Sequence, residues 1–200
     1  MPIITAMREQ QSIALPPPQT EHEATLMQAL KHRRSVREFA PKPLPREILS
    51  TLLWVAFGIN RPGGPGRTAP SAHDWQEIGV YAALADGMYR YDAAGHALHP
   101  CASGDLRSLT GVQDFVGHAP LNLVYVADFS RMSDAGTEER VFLAAADTGV
   151  IAQNVYLICA AAGLATVVRG LVDRKKLAAA MGLGLHERIM LAQTVGFPAP

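Results

Sequence analysis

The chain has 200 residues, 48% apolar and 18% charged, enough for one domain with a substantial core and too few for two comfortable ones. Eighteen basic residues balance eighteen acidic ones, which argues against general binding to nucleic acid or an acidic surface. Its two cysteines, Cys101 and Cys159, lack C-x-x-C spacing, so neither a disulfide framework nor a zinc site is expected and both thiols read as reduced, as in a cytoplasmic protein.

The opening MPIITAMREQQ lacks the apolar core of a signal peptide. Residues 1–19 end in Leu15-Pro16-Pro17-Pro18, which predicts an extended arm that drapes over the domain or packs on a partner chain. Thr20 stands three residues before Glu23, a capping-box spacing, and Leu26, Met27 and Leu30 follow at helical intervals. That helix delivers Arg33-Arg34-Ser35-Val36-Arg37 at its C-terminal end. Like charges so close repel unless something neutralises them. Arginine forks grip phosphate through paired hydrogen bonds, so the cluster is a candidate anion site; the alternative is a solvated basic helix end.

Pro45 suits a helix start, and Ile48, Leu49, Leu52, Leu53 and Ala56 form one apolar face up to Gly58. The 60–67 loop is too rich in glycine and proline for regular structure and reads as a candidate lid. Its glycines match no nucleotide-binding spacing. Polar groups crowd Thr68 to Gln76. There Ser71, Asp74 and Gln76 offer donors and acceptors for a heteroaromatic ring edge, or else form a polar turn. Ser71, His73 and Asp74 make no hydrolase triad, since no G-x-S-x-G elbow is present.

A strand over 78–83 and a hairpin over 88–99 follow, then helical pieces at 103–109 and 112–117 and a buried strand at 121–127. Residues 138–162 predict one long helix of about 37 Å, capped by Thr137 and ended by Gly163, apolar almost all round and so central to a domain or an oligomer interface. Asp147, Gln153 and Asn154 interrupt it, which argues against a membrane span; Asp147 reads as a satisfied core carboxylate rather than a catalyst. Leu164 to Val168 predicts a strand running into Arg169-Gly170, where a glycine allows a ligand to approach the backbone, or simply makes a turn. A helix at 173–182 and a strand at 189–195 complete a single α+β domain over residues 20–200.

In this order, RRSVREF, LLWVAFGINR, RTAPSAHDWQE, GMYRYD and GLATVVRG make residues 22–198 resemble the FMN-dependent nitroreductase family, and especially its SagB-type branch, related to azoline dehydrogenases. The resemblance implies a central, mostly antiparallel sheet flanked by helices, with the long helix at a homodimer interface and FMN contacted by both chains. It places Arg33, Arg34, Ser35 and Arg37 at the flavin phosphate and pyrimidine edge. Pro70, Ser71, Asp74 and Gln76 match the motif given by the partner chain, with Asp74 where the family motif has asparagine. Val168, Arg169 and Gly170 match the segment beside flavin N5, where a cation at Arg169 favours the anionic reduced flavin. The chain stops at Pro200 without the family's basic tail, so weaker cofactor affinity is expected.

The implied activity is ping-pong hydride transfer from NAD(P)H through the flavin to a small electron-poor acceptor, a nitroaromatic or quinone. No protein acid or base is required and no metal is expected. Oxidation of a substrate such as a peptide azoline, and flavin binding without turnover, are the alternatives.

Overall fold

A computed structural model of the protein describes residues 11–61 and 63–200. Its frame is a seven-stranded sheet formed by β1 (Ile13–Ala14), β2 (Ile78–Leu84), β3 (Gly87–Asp92), β4 (Ala97–Ser103), β5 (Leu121–Asp128), β6 (Ala165–Arg169) and β7 (Glu187–Gly196). The strand order is β1-β4-β3-β2-β5-β7-β6, and every pairing is antiparallel. Helices α1 (Leu26–His32), α2 (Arg46–Phe57) and α3 (Thr137–Ala161) precede or cross over these strands, and α4 (Arg174–Met181) lies between β6 and β7.

The sheet is covered on both faces. Leu52, Leu53 and Ala56 of α2, with Ile151, Val155 and Cys159 of α3, pack on Val80, Ala82, Leu123 and Tyr125. Leu177 and Met181 of α4 pack with Tyr81, Met88, Val124 and Val126 on the other side. β5 therefore reads as a continuous apolar run because neither of its faces meets water.

Local chemistry moves several expected boundaries. α1 starts at Leu26 because Thr25, not Thr20, caps it: the Thr25 hydroxyl accepts from the Gln28 amide at 3.3 Å, and Gln28 Oε1 accepts from the Thr25 amide at 2.8 Å. Thr137 does not cap α3; Gly136 takes the cap position without a side-chain bond, and Glu138 and Glu139 suit the positive end of the dipole. Gly163 does end α3, at φ 67°, with the Leu164 amide donating back to the Cys159 carbonyl at 2.8 Å. The two short pieces between β4 and β5 are 3-10 turns, Arg107–Thr110 and Asp114–Gly117.

The arm packs on its own domain over residues 11–19, and its expected course over 1–10 lies outside the described residues. Ile13 and Ala14 pair with Leu98 and Ala97, and the Pro16 carbonyl meets His96 at 3.0 Å. The 60–67 loop is tied shut at its base, since the Asn60 amide donates to Gly66 and Ile59 bridges Arg67.

Candidate functional site

The arginine motif leaves α1 in an extended course along β6. Arg33 is the cap residue, and the Val36 amide donates to the Thr166 carbonyl at 2.9 Å. Arg34, Ser35 and Arg37 are exposed, and among the described residues none of the three arginines forms an ion pair. Arg33 lies 5.2 Å from the centre of the Tyr156 ring, within cation–π range. A cleft of about 450 Å³ opens here, lined by Lys31, His32, Arg33, Arg34, Tyr156 and Thr166 among others. An unneutralised cluster beside a cleft fits an anion such as a phosphate group.

Tyr156 joins this motif to the segment after β6. Its hydroxyl lies 2.8 Å from that of Ser35 and accepts the Val168 amide at 2.9 Å. Ser35 and Val168 thus belong to one local network, a link that the helix's apolar pattern conceals. The available signal is that a tyrosine buried on an aliphatic helix needs a partner for its hydroxyl.

Arg169 does not face outward. It shares the strand face of Ala165 and Val167, and its guanidinium is buried: Nη1 donates to the Thr110 carbonyl at 2.7 Å, Nη2 to Asn122 Oδ1 at 3.0 Å and Nε to Thr194 Oγ1 at 3.1 Å. Gly111 is needed opposite, since a Cβ there would collide with the guanidinium. Burial lowers the Arg169 pKa to about 10, so it remains charged at neutral pH. The expected cation beside the flavin is therefore corrected: the Arg169 guanidinium is buried, while Val168 is partly exposed and Gly170 exposed. At exposed Gly170 a Cβ would meet nothing closer than Leu191 Cδ2 at 3.7 Å, so this chain's own packing does not demand glycine there.

The Pro70–Gln76 segment lies elsewhere. Its Ala72 amide donates to Asp147 Oδ2 on α3 at 2.8 Å. Asp147 and Tyr156 are nine residues apart, about 14 Å along the axis and on opposite sides of the helix. The Ser71 hydroxyl turns inward, accepting the Gln76 amide at 2.8 Å and donating to Glu77 Oε2 at 3.1 Å; it makes no bond to His73. Gln76 Nε2 donates to Asp74 Oδ1 at 2.9 Å, and Gln76 Oε1 accepts from Arg67 Nε at 2.8 Å. Asp74 thus serves as acceptor for a neighbouring side chain, a role that asparagine could fill equally. His73, Asp74 and Gln76 all have left-handed backbones, at φ 50°, 54° and 49°. Such strain in three of four non-glycine residues is costly and concentrates at functional loops. Pro70, His73 and Asp74 are exposed.

One chain therefore carries two motifs on opposite sides of α3, and between them α3 presents an uncovered stripe. Phe142 is 72% and Val150 39% exposed, and Ala145, Ala146, Gly149 and Gln153 are exposed with them. Leu26, Met27 and Leu30 on α1 are exposed as well. The helix is half-buried in one chain, and its exposed side is mostly apolar. Among the described residues it alone is long and apolar enough to cross a membrane by length and composition, and its sheet-facing side carries buried Asp147 and Thr148. No cluster of three metal-ligating side chains occurs among the described residues.

Comparison with known proteins agrees with this fold. A structure from Ralstonia eutropha JMP134, of a protein assigned to the nitroreductases, is 47% identical over 97% of this chain and 92% of that one, with a TM-score of 0.91. A chain of the E. coli microcin synthetase McbBCD complex with truncated pro-MccB17 bound is 24% identical over 84% of this chain and 70% of that one, TM-score 0.75. The NADPH:FMN oxidoreductase of Vibrio harveyi complexed with NAD+ is 19% identical over 88% and 69%, TM-score 0.63. The model of the nitroreductase family matches residues 30–197, most of the sequence and both candidate motifs. The chain belongs to the nitroreductase family.

Proposed function

We propose that this protein is a homodimeric FMN-dependent oxidoreductase using NAD(P)H to reduce a small electron-poor acceptor such as a nitroaromatic or quinone. The observation that carries the proposal is the separation of its two polar motifs by α3 in one chain. A second copy docked on the exposed α3 stripe brings one chain's Arg33–Arg37 toward the other's Pro70–Gln76. Small Ala145, Ala146 and Gly149 allow close helix approach there, and Phe142 and Val150 give apolar area to bury.

FMN, when bound, supplies the hydride chemistry. Arg33, Arg34 and Arg37 would hold its phosphate, with Arg33 steadied by the Tyr156 ring. Tyr156 keeps the Ser35 hydroxyl and the Val168 amide at fixed separation, so the arginine motif and the 168–170 backbone bind as one surface. Exposed Gly170 lets a planar ring approach the backbone. Pro70 and the strained 71–76 backbone of the partner would close the site's edge and exclude water. The test is anaerobic addition of NADH or NADPH to FMN-loaded protein. Bleaching of the flavin bands supports reductase activity, and persistent bands count against it.

A second activity of the same site draws support from the likeness to the microcin synthetase chain, whose TM-score exceeds that of the Vibrio harveyi enzyme. It is SagB-type oxidation of a peptide-borne azoline, with electrons entering from the substrate. Flavin bleaching by an azoline peptide in the absence of nicotinamide distinguishes it.

A further inference from the structure

Two carboxylates lie beneath the 70–76 loop, and the oxidoreductase chemistry uses neither. Glu77, just ahead of β2, is 1% exposed, and Asp147 on α3 is 8% exposed. Among the described residues neither forms an ion pair. The adjoining cleft is lined by Arg67, Arg90, Asp92, His99, Asp128, Arg131 and Glu187 as well as Glu77, and Arg67, Arg131 and Asp128 have other partners. Arg67 donates to Gln76 Oε1 and the Phe57 carbonyl, Arg131 donates to the Trp75 carbonyl, and Asp128 accepts the Ser130 amide. His73, the loop's other titratable group besides Asp74, is exposed and stacks on Trp75 at 4.5 Å.

Glu77 Oε2 accepts from Ser71, but Glu77 Oε1 is buried and meets no donor. The neighbouring carboxyl is that of Asp147, whose Oδ2 holds the Ala72 amide next to Ser71. Two ionised carboxylates so placed repel, and burial penalises the Glu77 charge. One proton between them removes the repulsion and supplies the missing donor. Burial, reinforced by the Asp147 charge, accordingly raises the Glu77 pKa.

We propose that Glu77 and Asp147 share one proton at neutral pH and act as a positioning pair that holds the 71–76 loop in its strained form. Asp147 fixes the start of the loop at the Ala72 amide. Glu77 orients the Ser71 hydroxyl, which receives the Gln76 amide at the loop's end. Three left-handed residues lie between these anchors, and without them the segment relaxes. A second deprotonation puts two negative charges under the loop and frees it. The effect on cofactor binding rests on the proposed function, because it treats this loop as half of the FMN site.

The test combines infrared spectroscopy with deuterium exchange on the full-length protein without added flavin. The expected result is a protonated carboxylic acid carbonyl band at pH 7 that Glu77→Gln lacks. Deuterium uptake in peptides covering 70–77, corrected for intrinsic exchange, rises with pH as the band disappears. In Glu77→Gln, whose amide can still donate to Asp147 and accept from Ser71, uptake is independent of pH. With FMN added, wild-type affinity falls by about tenfold per pH unit above the pair's titration, the slope for one proton. Absence of the band at pH 7 overturns the shared proton. Unchanged uptake at 70–77 in Asp147→Ala overturns the positioning role. If both flavin-free results hold and FMN does not bind, the pair stands and the FMN proposal fails.

Discussion

The hydroxyls of Tyr156 and Ser35 lie 2.8 Å apart, across 121 residues of sequence, and the same Tyr156 oxygen accepts the Val168 amide. One side chain of α3 therefore sets the distance between the arginine motif and the end of β6. In Tyr156→Phe the Val168 amide loses its acceptor. The expected cost is about 1–2 kcal/mol, a fall in Tm of roughly 2–8 °C for a protein of this size. FMN affinity should fall with it, checked by thermal melting beside a fluorescence titration.

Arg33 and Arg37 carry charge that nothing else among the described residues neutralises. Replacing either by alanine should weaken FMN by about 10- to 100-fold, the value of a charged hydrogen bond. Riboflavin, which lacks the phosphate, should bind wild type and variant alike. Titrating both ligands into both proteins checks the assignment, and an equal loss for riboflavin contradicts a phosphate role.

Arg169 contributes to the fold. Arg169→Ala leaves the Thr110 carbonyl without its side-chain donor and Asn122 Oδ1 with the Thr194 hydroxyl alone, and should destabilise the protein by about 2–4 kcal/mol. Urea unfolding measures this. Because the guanidinium points into the core, Arg169→Lys, where folded, should leave the flavin midpoint potential close to wild type.

The sign of the pH dependence at Glu77 follows from its raised pKa. The folded state keeps a proton that the unfolded chain releases near the ordinary value of 4.5. Stability from this group is therefore complete below that value and is lost as pH rises toward the folded pKa. Urea unfolding of wild type and Glu77→Gln across this interval should show a decline in wild type that the variant lacks.

Much of this fold is legible in residue order. The continuous apolar run of β5, the turn residues after Asp92 and the long periodic stretch of α3 each specify their element locally. β1 does not, because a two-residue strand has no period to detect. The charge of Arg169 suggests an outward side chain, whereas strand alternation puts it on the buried side with Val167. The surroundings of Glu77 are not legible in the sequence, because Ser71 and Asp147 come together around the 71–76 loop only on folding. Alanine and glycine look the same in a core and in a close helix contact, so the sequence of α3 leaves a domain core and an oligomer interface as equal readings.

On the proposed function, each cofactor site takes its arginines from one chain and its 70–76 loop from another. Subunit mixing tests it most directly. An Arg33→Ala/Arg37→Ala variant and a Gln76→Ala variant, each defective in FMN binding alone, are unfolded together, refolded and titrated with FMN. A site shared between chains leaves every mixed dimer with one intact site and one doubly damaged site. Tight binding should then return to about one quarter of all sites under random pairing. No recovery in verified mixed dimers means that each site lies within a single chain, and contradicts the account.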